Sequence, residues 1–504
     1  MKRMGRFLPE LVLAAALLAA AAGLRWWDFT TGRSDFDGDE AVAALMAKDV
    51  WLGRDYPIYF TGQNYGGSLE SYVTAAVFAA RGRSDVLGAR LAGLVLMLAG
   101  FTLHYGFIRW AAGPRAALLA LSVLTFGSGF FTMWSMKLRG GYLLLPMTCA
   151  GVIWAAMILD WRSRQGRRGL AGPAAGLGFC AGLGWWNHQS VIYAVGAGAL
   201  LLAWRVRARA ARAPERATPA WGRAVLAGGM GFLAGYAPAL VAMAQGRWPR
   251  TPFALATPEQ FFANMRDLVT QLLPRLFGMN FQVEEGRWGA PVLSALAAAL
   301  LLLGITMAVK QAAPGSALQS AAPGARSFVF LTVAGAAVTL LALLMSGFTQ
   351  YVGGDPRQLI MLVYALAGLC GVGWARLPRP WPALMAALVA IHGMSSVIAE
   401  PPDPVAAGYV RARDAPLLQY LQEQRVRACY FMDNGPARGY WKAMELSFYS
   451  DEQTVFVPPE HMNRLPAYAA FARRQPPPAV WVSRFPADLV ANYSHHFAAP
   501  LRVT

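Results

Sequence analysis

The chain has 504 residues, enough for roughly three or four soluble domains of ordinary size. Its composition excludes that: 56% of residues are hydrophobic and 14% charged, roughly half the charged share of a soluble protein. A disordered chain, a secreted disulfide scaffold and most soluble enzymes are ruled out, and a polytopic α-helical membrane protein is expected. The net charge of +18 would suit nucleic acid, but the arginines concentrate in two short connectors between apolar runs, 161–169 and 205–223. Short basic loops mark the cytoplasmic face of a membrane protein, so no nucleic-acid partner is expected.

In chain order, residues 1–24 carry a basic front, an apolar middle and small residues near the end. That is the pattern of a cleaved signal peptide or an uncleaved signal anchor, and either places the next segment outside the cytoplasm. Helical spans are expected at 87–108, 116–133, 142–159, 170–186, 191–204, 224–244, 290–309, 328–345, 359–374 and 382–398, read from apolar runs of membrane-crossing type. With the anchor these make eleven; 67–80, short and carrying Glu70, is a further crossing or an interfacial helix. If the basic connectors 161–169, 205–223, 310–326 and 375–379 lie inside, then 134–141, 245–288, 347–357 and the tail from 400 lie outside. The number of spans is then odd, eleven or thirteen.

The expected plan is an anchor in 1–25, an acidic outer loop with short helices in 26–82, a transmembrane bundle over 83–399 and an extracytoplasmic domain over 400–504. Within the outer loop 245–288, Phe261, Phe262, Met265, Val269, Leu272, Leu273 and Leu276 recur at helical spacing. They suit an amphipathic helix on the outer surface, or one packed on the bundle. In the tail, a helix-like run at 415–424 and strand-like runs at 426–432, 454–457 and 479–483 predict a small α/β domain. Cys149, Cys180 and Cys370 lie in apolar spans, leaving Cys429 alone outside and no internal disulfide in its region.

The first outer loop carries the chemistry. Seven acids stand between 28 and 55, four of them in 35–40, DFDGDE. Each Asp at the centre of a bilayer-spanning helix costs roughly 3 kcal/mol, so the cluster lies outside lipid. One meaning is a polar loop whose acids favour the positive end of a helix beginning at Asp39. The other is a carboxylate poised to take a proton from an acceptor hydroxyl, with a neighbour that orients it or raises its pKa.

The run from Phe36 to Gly82 resembles the opening of integral-membrane glycosyltransferases of the GT-C superfamily, in the branch of protein O-mannosyltransferase-like and aminoarabinose-transferase-like bacterial proteins. That branch has an Asp-Glu pair soon after the first span, a helix, a Gly-aromatic loop and a second short helix; here these are Asp39-Glu40, 41–52, 59–67 and 68–80. MWSMKLRGGY at 133–142 is similar to the family's outer segment in which an Arg precedes a Tyr, and 348–366 to its late Pro-Arg-x-Leu span opening, with Arg357 at the membrane edge. The tail segment YWKAMELSFYSDEQTVFV is similar to the C-terminal domain of some relatives. Two departures stand out. Gly66-Gly67-Ser68 replaces the lysine that follows the Gly-aromatic loop in aminoarabinose transferases, and the oligosaccharyltransferase motif WWDYG is missing.

The resemblance implies a GT-C-like fold and transfer of a sugar, with inversion, from a polyprenyl phosphate to a glycan, lipid or protein acceptor at the outer face of the cytoplasmic membrane of the cell envelope. Such a reaction needs a carboxylate for the acceptor's proton: Asp39 by its match to the Asp-Glu pair, with Glu40 and Asp37 as partners. Glu70 would bind a sugar hydroxyl or is a membrane-edge carboxylate, and Gln63, Asn64 and Tyr65 of the Gly-aromatic loop would contact sugar or acceptor. Negative charge growing on the departing phosphate needs neutralising; Lys137, Arg139 and Arg357 stand in outer loops beside span ends, where they serve that role or snorkel as interface anchors. The helix in 258–277 or Trp185-Trp186 would line a groove for the prenyl chain, while His188 is expected to be a hydrogen-bonded structural residue. No metal-ligand spacing is visible beyond the common Asp37-Gly38-Asp39 triplet, so no cofactor is expected, although that triplet leaves a divalent ion open. Two other readings are a transporter or flippase of lipid-linked glycan, against which no internal repeat is seen, and a non-catalytic GT-C-like subunit.

Overall fold

The computed structural model describes residues 4–165, 169–210, 219–249, 254–279, 289–312, 324–347, 356–399, 414–432, 436–458, 465–475 and 480–483. They group into two compact units. One comprises 1–28, 94–136 and 141–401, the other 29–93, 137–140 and 402–504.

The first unit is the apolar one. Among the described residues seven helices are long and apolar enough to cross a membrane, or eight if a bent pair is one span. The protein is an integral membrane protein. Its interior is closed partly by glycine: a Cβ on Gly178 would stand 1.9 Å from the Gly228 carbonyl oxygen, and one on Gly231 2.1 Å from that of Ala175. The helices Ala171–Asn187 and Pro219–Gly235 therefore approach backbone to backbone, the small-residue packing typical of membrane helices.

Three expected spans differ in detail. The first helix, Met4–Thr30, continues past the expected boundary at 25. Arg25 does not end it because its guanidinium is buried and bonded to the Thr125 carbonyl (2.5 Å), the Leu124 carbonyl (3.0 Å) and Ser135 Oγ (3.1 Å). These carbonyls are left open at the end of the helix Pro114–Thr125, where a cation is favoured. The expected span 116–133 is two helices, Pro114–Thr125 and Gly129–Trp134, because Ser128 caps the second by accepting from the Phe131 N–H. The expected span 224–244 bends by 60° between Trp221–Gly235 and Ala237–Ala244, with Pro238 in the first turn of the second helix.

The amphipathic segment is a helix over Pro258–Asp267 that continues through a π-helical turn, Leu268–Leu272, into Leu273–Leu276. Leu268, Leu272 and Leu276 are buried, whereas Phe262, Met265 and Val269 are exposed. Its apolar residues thus serve two faces.

The second unit joins the acidic segment to the tail. The acidic helix Gly38–Trp51 packs on the helix Leu69–Arg81 and on the tail helix Pro436–Tyr449. At 13 residues, Leu69–Arg81 is shorter than a membrane crossing requires. The tail holds a parallel sheet of β1 (Ala428–Met432), β2 (Val455–Val457) and β3 (Val480–Ser483) in the order β2-β1-β3. Cys429 pairs with Phe456 on one side and Val480 on the other, so its central strand is buried. The helices Ala415–Glu423, Pro436–Tyr449 and Pro466–Arg473 complete this α/β arrangement.

Candidate active site

The site is built on the first turn of Gly38–Trp51. Asp37 is its N-cap: the Asp37 carboxylate accepts from the backbone N–H groups of Asp39 (3.1 Å) and Glu40 (3.3 Å), and Glu40 Oε2 accepts in return from the Asp37 N–H (3.3 Å). This capping box satisfies helix N–H groups that would otherwise lack partners and fixes where the three acids point. Gly38 is there for space. A Cβ at this position would stand 2.4 Å from Trp441 Cα, so only glycine lets Pro436–Tyr449 lie this close. Phe36 is held from the same side, stacked on Phe448 at 5.6 Å.

The cations come from elsewhere in the chain. Lys137 Nζ reaches Asp37 Oδ2 at 2.6 Å, Glu40 Oε2 at 3.4 Å and the Asp35 carbonyl at 3.0 Å. Arg139 pairs with Asp37 through Nη2, and its Nη1 stands 3.7 Å from Asp39 Oδ2. Arg90 is buried between the rings of Phe29 and Phe36 and donates to Glu40 Oε2 (3.1 Å) and the Asp35 carbonyl (2.7 Å). Glu70, also buried, accepts the Arg139 backbone N–H at 3.0 Å, so it holds the segment 137–140 in place. The Gly-aromatic loop closes on itself through the Tyr59–Gly67 bridge. There Gly66, at φ +73°, places its backbone against the Gly140 carbonyl, a position that an L side chain would strain.

These contacts divide the three acids by role. Glu40 is 0% exposed; its burial raises the carboxyl pKa and outweighs Arg90 and Lys137, and Oε1 has no hydrogen-bond partner among the described residues. Asp37 has both oxygens engaged; burial would raise its pKa, but Lys137 and Arg139 overcome this and hold it below the usual carboxylate range. Asp39 differs. Its side chain is 19% exposed, no more than the 22% of Asp37, but its one ion pair among the described residues, to Arg139 at 3.7 Å, is beyond hydrogen-bond reach. The pairing with Asp37 and Asp39 raises the Arg139 pKa against the effect of its own burial, so Arg139 is a permanent cation.

The other sequence candidates scatter. Tyr65 is exposed, and Gln63 and Asn64 are half-buried, all on the Gly-aromatic loop in the second unit. Arg357 belongs to the first unit, where it lies over the Trp134 ring. His188 meets Tyr142 edge-on, and its Nδ1 accepts the Ser190 N–H at 3.3 Å. Arg90 escapes a reading of the sequence because it falls inside the expected span 87–108; the signal is an arginine four residues into an apolar run. No group of three or more His, Cys, Asp or Glu among the described residues is arranged to hold a metal ion.

No family model matches the sequence, and no curated protein does. Solved structures match over nearly the whole chain. ArnT from Cupriavidus metallidurans bound to undecaprenyl phosphate is similar at a TM-score of 0.57 and 13% identity, over 94% of this chain and 90% of that one. The apo state of ArnT gives 0.58 and 13%, over 97% and 91%. The Archaeoglobus fulgidus oligosaccharyltransferase in its apo form gives 0.49 and 10%, over 88% and 64%, too weak a likeness to argue from. The protein has the GT-C membrane fold of ArnT.

Proposed function

We propose that this protein is an inverting glycosyltransferase that moves a sugar from a polyprenyl phosphate to an acceptor hydroxyl at the outer face of the cytoplasmic membrane. The observation that carries the reading is the division among the acids of the capping turn: Asp37 is consumed by a helix cap and two cations and Glu40 is buried, while Asp39 is half-buried with no hydrogen bond to a cation among the described residues. The fold shared with ArnT, which has been captured with undecaprenyl phosphate, supports the donor class. The basic connectors of the sequence support the orientation.

In this mechanism Asp39 takes the proton of the acceptor hydroxyl as its oxygen attacks the anomeric carbon from the face opposite the phosphate. The bond between that carbon and the phosphate oxygen breaks, and the electron pair leaves with the phosphate. Arg139, the cation nearest Asp39 among the described residues, offsets the growing charge. Lys137, Arg90 and Glu70 hold the acids and Arg139 in place, and the Gly-aromatic loop with Gln63, Asn64 and Tyr65 offers polar contacts to sugar or acceptor. The exposed Phe262, Met265 and Val269 offer apolar surface to the prenyl chain. The mechanism assigns no step to a divalent ion, and chelation is expected to leave the rate unchanged.

The test is release of polyprenyl phosphate by purified protein supplied with donor and acceptor. Asp39→Asn is expected to lower turnover about 10²- to 10⁴-fold, the usual contribution of a general base, with the unfolding temperature unchanged. Wild-type turnover in this variant overturns the assignment, and donor that crosses the bilayer intact without releasing its phosphate makes the protein a transporter.

A further inference from the structure

The tail helix Pro436–Tyr449 is covered on almost every side. From Tyr440 to Phe448 each residue is buried, the polar Lys442, Glu445 and Ser447 included, with a single exception. The exception is Trp441, which is 41% exposed. An indole has more apolar surface to hide than any other side chain in this stretch, so its exposure beside buried lysine and glutamate inverts the ordinary order of burial.

Its position is equally specific. Trp441 Cα and Cβ lie 2.4 and 2.5 Å from the point where a Cβ on Gly38 would stand, between Asp37 and Asp39. The helix that carries it is held firmly. Lys442 pairs with Asp414 and with Glu445 at 3.2 Å, and Phe448 stacks on Phe36. Trp441 is thus an exposed aromatic residue on a rigid support, its backbone packed against Gly38, the residue before the carboxylate assigned as base.

We propose that Trp441 is a binding platform for a pyranose ring, whose apolar C–H face lies on the indole while its hydroxyls turn towards the acids of the Gly38–Trp51 helix. The ring's C–H groups carry partial positive charge and the indole face is negative. A rigid aromatic side chain loses little conformational freedom on binding. The inference rests on the glycosyltransferase reading for the class of ligand, but sugar contact can be measured without turnover. Donor and acceptor sugars share this chemistry.

The experiment is saturation-transfer NMR on the full-length protein in detergent, with a panel of methyl hexopyranosides as probes. Transfer to the ring C–H protons of at least one glycoside is expected for the wild type, reduced at least about fivefold in Trp441→Ala and restored in Trp441→Phe, with equal unfolding temperatures. Asp39→Asn is expected to keep the signal while losing turnover, so failure of the base assignment and failure of the platform give different results. A short-chain prenyl-phosphate form of the best glycoside is then added: displacement marks the seat of the donor sugar, and persistence marks that of the acceptor. No transfer from the wild type to any glycoside, or equal transfer in Trp441→Ala, overturns the proposal.

Discussion

The two ends of the helix Gly38–Trp51 carry the same kinds of side chain to different ends. At the C-terminal end, buried Lys48 donates to Asp451 Oδ1 at 2.7 Å and stands 2.9 Å from Glu452 Oε2, while Arg54 and Tyr468 meet Glu452 at 2.8 and 2.9 Å. Asp451 and Glu452 take left-handed backbone angles, φ 53° and 60°, to present their carboxylates, a conformation disfavoured for residues other than glycine. Glu452, whose burial alone would raise its pKa, is held below the usual range by Lys48, Arg54 and Tyr468. Each of these charges is matched, and the helix dipole favours the lysine there. At the N-terminal end the matching is looser: Asp37 has both oxygens engaged, Glu40 is bonded through one oxygen, and Asp39 has among the described residues only the 3.7 Å pair with Arg139. On the function proposed above, the satisfied cluster serves as scaffolding and the incompletely matched one as the reacting site.

The sharpest break of this comparison is Asp39→Asn against Glu452→Gln. The first is expected to lose turnover at unchanged stability, the second to lower the unfolding temperature while keeping kcat within about twofold, since Glu452 acts only through the fold. Equal losses of kcat in both variants would erase the distinction. Next comes Asp37→Ala, which removes a helix cap and leaves Lys137 and Arg139 facing one another. A loss of about 3 kcal/mol in denaturant unfolding is expected, and a loss under about 0.5 kcal/mol, no more than an ordinary surface substitution costs, would show that the cations find other partners. Gly38→Ala is expected to cost about 2 kcal/mol, because the added methyl must displace the Trp441 backbone rather than a flexible side-chain end.

The smallest effect is on pH dependence. Asp37 and Glu452 both have folded pKa values below their unfolded ones. Their stabilisation is therefore present above about pH 4, the unfolded value, and is lost as pH falls through the folded values. Glu40 and Asp49, raised by burial, work in the opposite sense. Asp37→Asn is expected to flatten the acid limb of the stability curve, measured by thermal unfolding between pH 5 and 2 (a window set about the unfolded carboxylate pKa). A limb as steep as that of the wild type would deny Asp37 its ionised state.

The acids of the candidate site stand out in the sequence, and particular residues show where reading stops. Asp37-Gly38-Asp39-Glu40 is a capping-box pattern, an acid followed three residues on by Glu, yet its density of acids reads first as chemistry and only generally as a helix start. Lys137 and Arg139 read in the sequence as cations for the departing phosphate or as interface anchors; a hundred residues of intervening sequence hide that Asp37 engages them. Arg25 and Arg90 read as a span boundary and part of a span. In the fold they are buried cations bonded to carbonyls and to Glu40.

Apolar runs and their lengths determined by themselves that the chain is a membrane protein, and strand-like runs located the strands of the tail. These properties are local, because a helix or strand is decided largely by the residues within it. Which carboxylates Lys137 clamps, that Asp39 keeps only a longer pair with Arg139 among the described residues, and that a tail residue such as Asp451 closes on Lys48 across 403 positions were decided only by the tertiary structure. Burial and ion pairing sum over neighbours in space, and no window of sequence contains those neighbours.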